Sequence, residues 1–93
     1  MNPKILENHS LHSPGEVSDF IRILKDAVAS AKLRETIRRS GHVVPHLALT
    51  DLPDVAPWPD FFELFFEDDV GRVYRFFVET YHGIGGSWTL VET

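Results

Sequence analysis

Apolar and polar positions change period along this chain, and the changes divide it into segments. From residue 17 to residue 31 the apolar positions Val17, Phe20, Ile21, Leu24, Ala27, Val28 and Ala31 recur at steps of three and four, the signature of one apolar stripe on a helix. Asp19, Arg22, Lys25, Asp26 and Lys32 occupy the opposite side. Just before the stripe, Ser13-Pro14-Gly15-Glu16 has the form of a helix start. Serine caps, proline suits the first helical position, and glutamate sits where a capping box places its carboxylate. Arg38 and Arg39 suit a last helical turn, and Gly41 suits a C′ position. The pattern therefore predicts one long helix from Pro14 to about Ser40, with Ser30 as the place where it would break.

The period then shortens to two. His42–Thr50, "HVVPHLALT", reads as a strand that Pro45 confines to a sheet edge or a bulge. Asp51–Asp60, "DLPDVAPWPD", carries three prolines in ten residues and reads as a stiff connection. "FFELFFEDDVGRVYRFFVETYH" reads as two strands about a turn, with Gly71 supplying the left-handed residue of Asp68-Asp69-Val70-Gly71. A final strand, Ser87–Glu92, closes the chain. Residues 1–12, with only scattered apolar positions, read as a loose arm, and 13–93 as a single domain. The fold class is α+β: one long N-terminal helix packed on a mainly antiparallel sheet of about four strands, in the order α-β-β-β-β.

The glycine cluster in "YHGIGGSW", Tyr81–Trp88, invites comparison with a phosphate loop. Such a loop needs a helix after it, because the helix N-terminus supplies the amide donors. The residues after Gly86 are "SWTLVET", which is strand-like, and Trp88 sits where a third fingerprint glycine belongs. The cluster reads as a turn whose glycines supply positive φ angles.

Parity sorts the side chains of the hairpin onto two faces. Phe62, Leu64 and Phe66 share a face with Tyr74, Phe76 and Val78, an apolar set that the helix must cover. Phe61, Glu63, Phe65 and Glu67 share the other with Val73, Arg75, Phe77, Glu79 and Tyr81. A solvated antiparallel face is normally polar. Aromatic residues mixed with charges of both signs, with Glu63 and Arg75 close enough to pair across the strands, have the composition of a protein interface. Three readings are open: cover by the connection, the arm or the last strand; a homodimer interface through this second face; or the surface of another partner. The candidate partner-binding residues are Phe61, Glu63, Phe65, Arg75, Phe77, Glu79 and Tyr81. Trp58, between Pro57 and Pro59, serves equally well as a lid or as a presented anchor.

Charge sharpens the choice of partner. The net charge is -5, and residues 51–93 hold 2 Lys/Arg against 9 Asp/Glu. That half repels nucleic acid and attracts basic partners. Lys32, Arg34, Arg38 and Arg39 read as cations dressing a helix end, with no aromatic interleaving for single-strand binding.

Composition narrows the chemistry further. The chain has no cysteine, which rules out thiolate catalysis and thiolate metal sites. No apolar run approaches the roughly 20 residues of a membrane helix, and the first residues lack a signal-peptide core. The chain is therefore expected in the cytoplasm, away from membranes. Of five histidines, His42 and His46 share a strand face but lie roughly 13 Å apart by the strand rise, too far to chelate one ion. His82 and Ser87 flank the glycine turn without a supporting motif or an orienting acid. Neither a metal nor a cofactor is expected. The leading expectation is a small, acidic, non-catalytic protein acting by protein–protein binding, as an inhibitor, an immunity-type neutraliser or an adaptor. The alternatives are a small-molecule binder or minor enzyme with a pocket between helix and sheet, using His82 or His46, and a self-associating structural protein.

Overall fold

A computed structural model describes residues 3–36, 47–81 and 83–92. Among them one helix, α1 (Pro14–Ala29), lies on a five-stranded antiparallel sheet. The strands are β1 (His9–Leu11), β2 (Leu33–Thr36), β3 (Phe61–Asp68), β4 (Val73–Glu79) and β5 (Gly85–Glu92), in spatial order β1-β5-β4-β3-β2. This is the α+β layering that the periodicities predict, with one more strand.

The helix starts where the sequence places it. Ser13 is in extended conformation, its Oγ accepts from Glu16 N at 3.2 Å, and Pro14 occupies the first turn. The Glu16 carboxylate in turn accepts from His12 N and Ser13 Oγ, both at 3.3 Å. Val17, Phe20, Ile21, Leu24 and Ala27 are buried, as the stripe requires.

The helix ends eleven residues earlier than expected, at the possible break rather than at Ser40. Lys32 N donates to Ala27 O at 2.8 Å and Ala31 N to Val28 O at 3.1 Å, the paired bonds of a Schellman turn. The left-handed residue is Ala31, at φ 60°, where glycine is usual. Released from the helix, Leu33–Thr36 pairs with β3, and Leu33 enters the core. The strand expected at His42–Thr50 falls largely outside the described residues. Its last part is not strand: Leu49–Asp51 is a 3-10 turn that buries Leu49.

The supposed loose arm is part of the fold. Pro3–Leu6 forms a 3-10 turn, β1 pairs with β5, and Ile5 and Leu11 are buried. Trp88 Nε1 donates to Ile5 O at 2.9 Å, and Leu90 N to Asn8 Oδ1 at 2.9 Å. Polarity hides this in the sequence. Two aliphatic side chains in a polar stretch have no period of their own, and their partners lie at the other end of the chain.

Aromatic rings fill the space between helix and sheet. Phe20 of α1 stacks near Phe76 at 5.8 Å and meets Trp88 at 5.3 Å between centroids. Tyr74 and Trp88 stack at 4.9 Å with an interplanar angle of 9°. Leu52 and Trp58 of the proline-rich connection join the same core, and Lys25 Nζ ties the connection to the helix through Leu52 O and Asp54.

The β3–β4 turn is closed by Asp68, whose side chain is fully buried. Its Oδ1 accepts from Val70 N at 3.1 Å and Arg72 N at 2.9 Å, and its Oδ2 from Arg72 Nε at 2.7 Å and Tyr74 Oη at 2.9 Å. Burial pushes the Asp68 carboxyl upward. The hydrogen bonds from the Arg72 backbone, the Tyr74 hydroxyl, the Arg72 side chain and the Val70 backbone outweigh it and hold the group below its ordinary value. Burial, with the bond to Asp68, raises the Tyr74 phenol. Gly71 takes φ 88°, as the turn reading requires.

The glycine cluster divides by role. Gly83 takes φ 110°, whereas Gly85 and Gly86 lie within β5. A Cβ at Gly86 would stand 2.8 Å from Phe77 O, so close strand approach is the constraint there rather than positive φ.

Candidate functional site

Strand pairing builds the second face of the sheet as an ordered grid. β3 sets Phe61 opposite Glu79, Glu63 opposite Phe77, Phe65 opposite Arg75 and Glu67 opposite Val73. β5 extends the rows with Gly85 beside Glu79, Ser87 beside Phe77 and Thr89 beside Arg75. β2 adds Arg34 beside Glu67 and Thr36 beside Phe65, and β1 adds Ser10 beside Ser87. Burial alternates along β3, and along β4 from Tyr74 onward, as the parity assignment requires; Val73, expected on the outer face, is instead buried beside the irregularity in the β4–β5 pairing. Phe62, Leu64, Phe66, Tyr74, Phe76 and Val78 are buried beneath the helix, while Phe65 and Phe77 are half-buried and Phe61 is 38% exposed.

The charges on this face are organised. Arg75 Nε bonds to Glu63 Oε2, and the Arg75 guanidinium lies over the Phe77 ring, 4.5 Å from its centroid. The Glu63 side chain is only 4% exposed and that of Arg75 28%. Arg34 pairs with Glu67 at the margin. Guanidinium, carboxylate and ring hold one another in place, giving a preset polar centre flanked by phenylalanines.

Among the described residues, none of the three segments expected as a cover lies over this face. The last strand and the N-terminal segment join the sheet as β5 and β1, and so widen the face. The connection packs Leu52 and Trp58 into the core on the helix side. Trp58, expected as a lid over this face or as a presented anchor for a partner, is neither: it is a core residue, 9% exposed, and its Nε1 donates to Pro53 O at 2.9 Å. Tyr81 is 70% exposed beyond the end of β4, bridged to Gly83, at the corner of the face near Glu79.

Among the described residues, no three His, Asp or Glu side chains converge on a metal position. His42, His46 and His82 lie outside the described residues, and with them the pairing of His82 with Ser87. His9, expected in the loose arm, has a buried Nε2 without a hydrogen-bond partner and packs against Phe20. It lines a crevice of about 100 Å³ with Lys4, Glu16 and Asp19. A larger hollow of about 820 Å³ lies between the end of α1, β2 and the β3–β4 turn, lined by Val28, Lys32, Arg34, Glu35, Glu67 and Asp69. The space between the helix and the middle of the sheet is filled by Phe20, Phe76 and Trp88. No described helix is long and apolar enough to cross a membrane.

No protein-family model, no curated protein and no solved structure matches this chain. The site therefore rests on its own geometry.

Proposed function

We propose that this chain works without catalysis, as a small acidic binding protein of inhibitor, immunity or adaptor type, and that its contact surface is the outer face of the sheet. The observation that carries the reading is the Glu63–Arg75–Phe77 cluster flanked by Phe61 and Phe65. Rigid aromatic rings around a prearranged arginine are the composition of binding hot spots, and β3 and β4 hold them with little freedom left to lose. The acidic residues Asp51, Asp54, Asp60 and Asp69 lie off this face, in the connection and the turn, all exposed. There they steer a basic partner at long range.

The test is affinity capture from extracts of the source organism, with wild type, Phe65→Glu/Phe77→Glu and Val55→Glu as baits. Val55 is exposed in the connection, away from the face. A protein held by wild type and by V55E but lost by the double variant supports the reading. Equal recovery by all three removes the face from consideration.

A further inference from the structure

We propose that the outer face is occupied by a second copy of this chain, packed sheet to sheet about a two-fold axis. This rests on the reading of that face as the contact surface, and it names the occupant.

The first argument is relief. Phe61, Phe65 and Phe77 stand as a ridge along β3 and β4. Beside it, β5 and β1 present Gly85, Ser87, Thr89 and Ser10, a furrow of small side chains running parallel to the ridge, with exposed Val91 beyond Thr89 where the β4–β5 register shifts. A two-fold axis brings the ridge of each copy into the furrow of its partner, which is the self-complementarity that a two-fold interface requires. Face-to-face sheets about 10 Å apart pack in this way, rings interdigitating with small residues.

Charge supplies the second argument. A chain of net charge -5 is expected to repel its own copy, yet the excess does not sit on this face. On β2, β3 and β4 the face carries Glu63, Glu67 and Glu79 with Arg34 and Arg75, and each arginine is already bonded to a glutamate. With Glu63 at 4% exposure, most of the desolvation cost of the central pair is incurred within the single chain. Burial under a second sheet therefore adds little to it. The exposed aspartates of the connection and turn stay at the periphery of such a dimer, where a basic partner meets them.

Area is the third. Three strands of seven or eight residues with two shorter flanks give a plan of roughly 500 Å², from the ~4.8 Å strand spacing and ~3.3 Å rise. Side-chain relief raises this toward the about 600–800 Å² per partner of a modest specific interface.

Molar mass in solution tests the proposal, measured on the full chain by size-exclusion chromatography with light scattering from about 10 to about 500 µM, a range that brackets a modest interface. The expected mass at high concentration is twice the 10.6 kDa of one chain. Phe65→Glu and Phe77→Glu, on the ridge, are each expected to weaken the dimer at least about 30-fold, the scale of a hot-spot residue. Ser87→Trp fills the furrow and leaves the ridge intact, and is expected to weaken it as much; V55E leaves it unchanged. Circular dichroism confirms that each variant is folded. A wild type that stays monomeric at every concentration overturns the proposal, and so does a dimer that survives both ridge and furrow changes. A monomer that still loses its captured partner in F65E/F77E overturns the dimer alone. Indifference to those changes in both experiments overturns the contact-surface reading as well.

Discussion

Replacing Asp68 by asparagine probes how far one buried carboxylate holds the β3–β4 hairpin together. The carboxylate accepts four hydrogen bonds, two backbone amides at Oδ1 and Arg72 Nε with Tyr74 Oη at Oδ2. Asparagine has nearly the same shape, so packing changes little. Its oxygen keeps Val70 N and Arg72 N, now as neutral bonds. Its NH2 replaces Oδ2 and faces the Arg72 Nε–H donor to donor, while the Tyr74 hydroxyl can turn and accept. Hydrogen bonds to a charged acceptor are worth about 1 kcal/mol more than neutral ones, so the two amide bonds together lose about 2 kcal/mol. In a chain of this length that lowers Tm by about 8–16 °C. Urea unfolding at pH 7, followed by the fluorescence of the buried Trp58 and Trp88, measures the difference directly. The pH dependence is a second check. The folded-state carboxyl lies below its ordinary value, so its contribution is full above the unfolded value and is lost as pH falls through the folded one. The gap between wild type and D68N should persist at about pH 5, begin to narrow only below about pH 4, and close once the pH has fallen through the lower folded-state value. A gap under about 0.5 kcal/mol at pH 7, the size of an ordinary surface change, would refute the reasoning.

Single positions give further expected outcomes. Ile5→Ala should cost about 2–5 kcal/mol in chemical denaturation, because Ile5 is fully buried, whereas a free arm would register no change. Ala31→Gly should stabilise by about 1 kcal/mol, since Ala31 holds φ 60° at an exposed helix terminus; a loss of stability would contradict the Schellman assignment. Gly86→Ala should destabilise by more than about 2 kcal/mol through its clash with Phe77 O, while Gly85→Ala, with open space around it, should stay within about 0.5 kcal/mol by thermal melting.

The outer face proposed for self-association and the acidic margins are two surfaces with different physics. The outer face is nearly charge-balanced and gains by excluding water. The connection and turn carry exposed aspartates whose effect reaches beyond contact distance and fades with salt. If the proposed dimer and basic partner both hold, salt should slow the partner's approach far more than it loosens the copies from each other.

Ser13-Pro14-Gly15-Glu16 determines its helix start without help, because the capping bonds run between residues three apart. Asp68–Gly71 determines its turn in the same way, and once that turn is fixed the period of two assigns the β3 side chains, and those of β4 from Tyr74 on, to a face. The composition of the outer face, with its Glu63–Arg75 pair, was therefore legible from local spacing. The end of the helix was legible only as a break at Ser30 in a longer helix: Ala31 takes a left-handed conformation that alanine does not advertise, and Leu33–Thr36 becomes a strand only because the edge of β3 is there to pair with. Ile5 and Leu11 carry no period, and they are buried because Trp88 and β5 return to them from the far end of the chain. Trp58 between two prolines reads equally as lid or anchor until the core opens a place for its ring. Short-range hydrogen bonds and strand alternation are written in neighbouring residues. Burial between distant segments is decided only when the whole chain has closed, because it depends on which surfaces then meet.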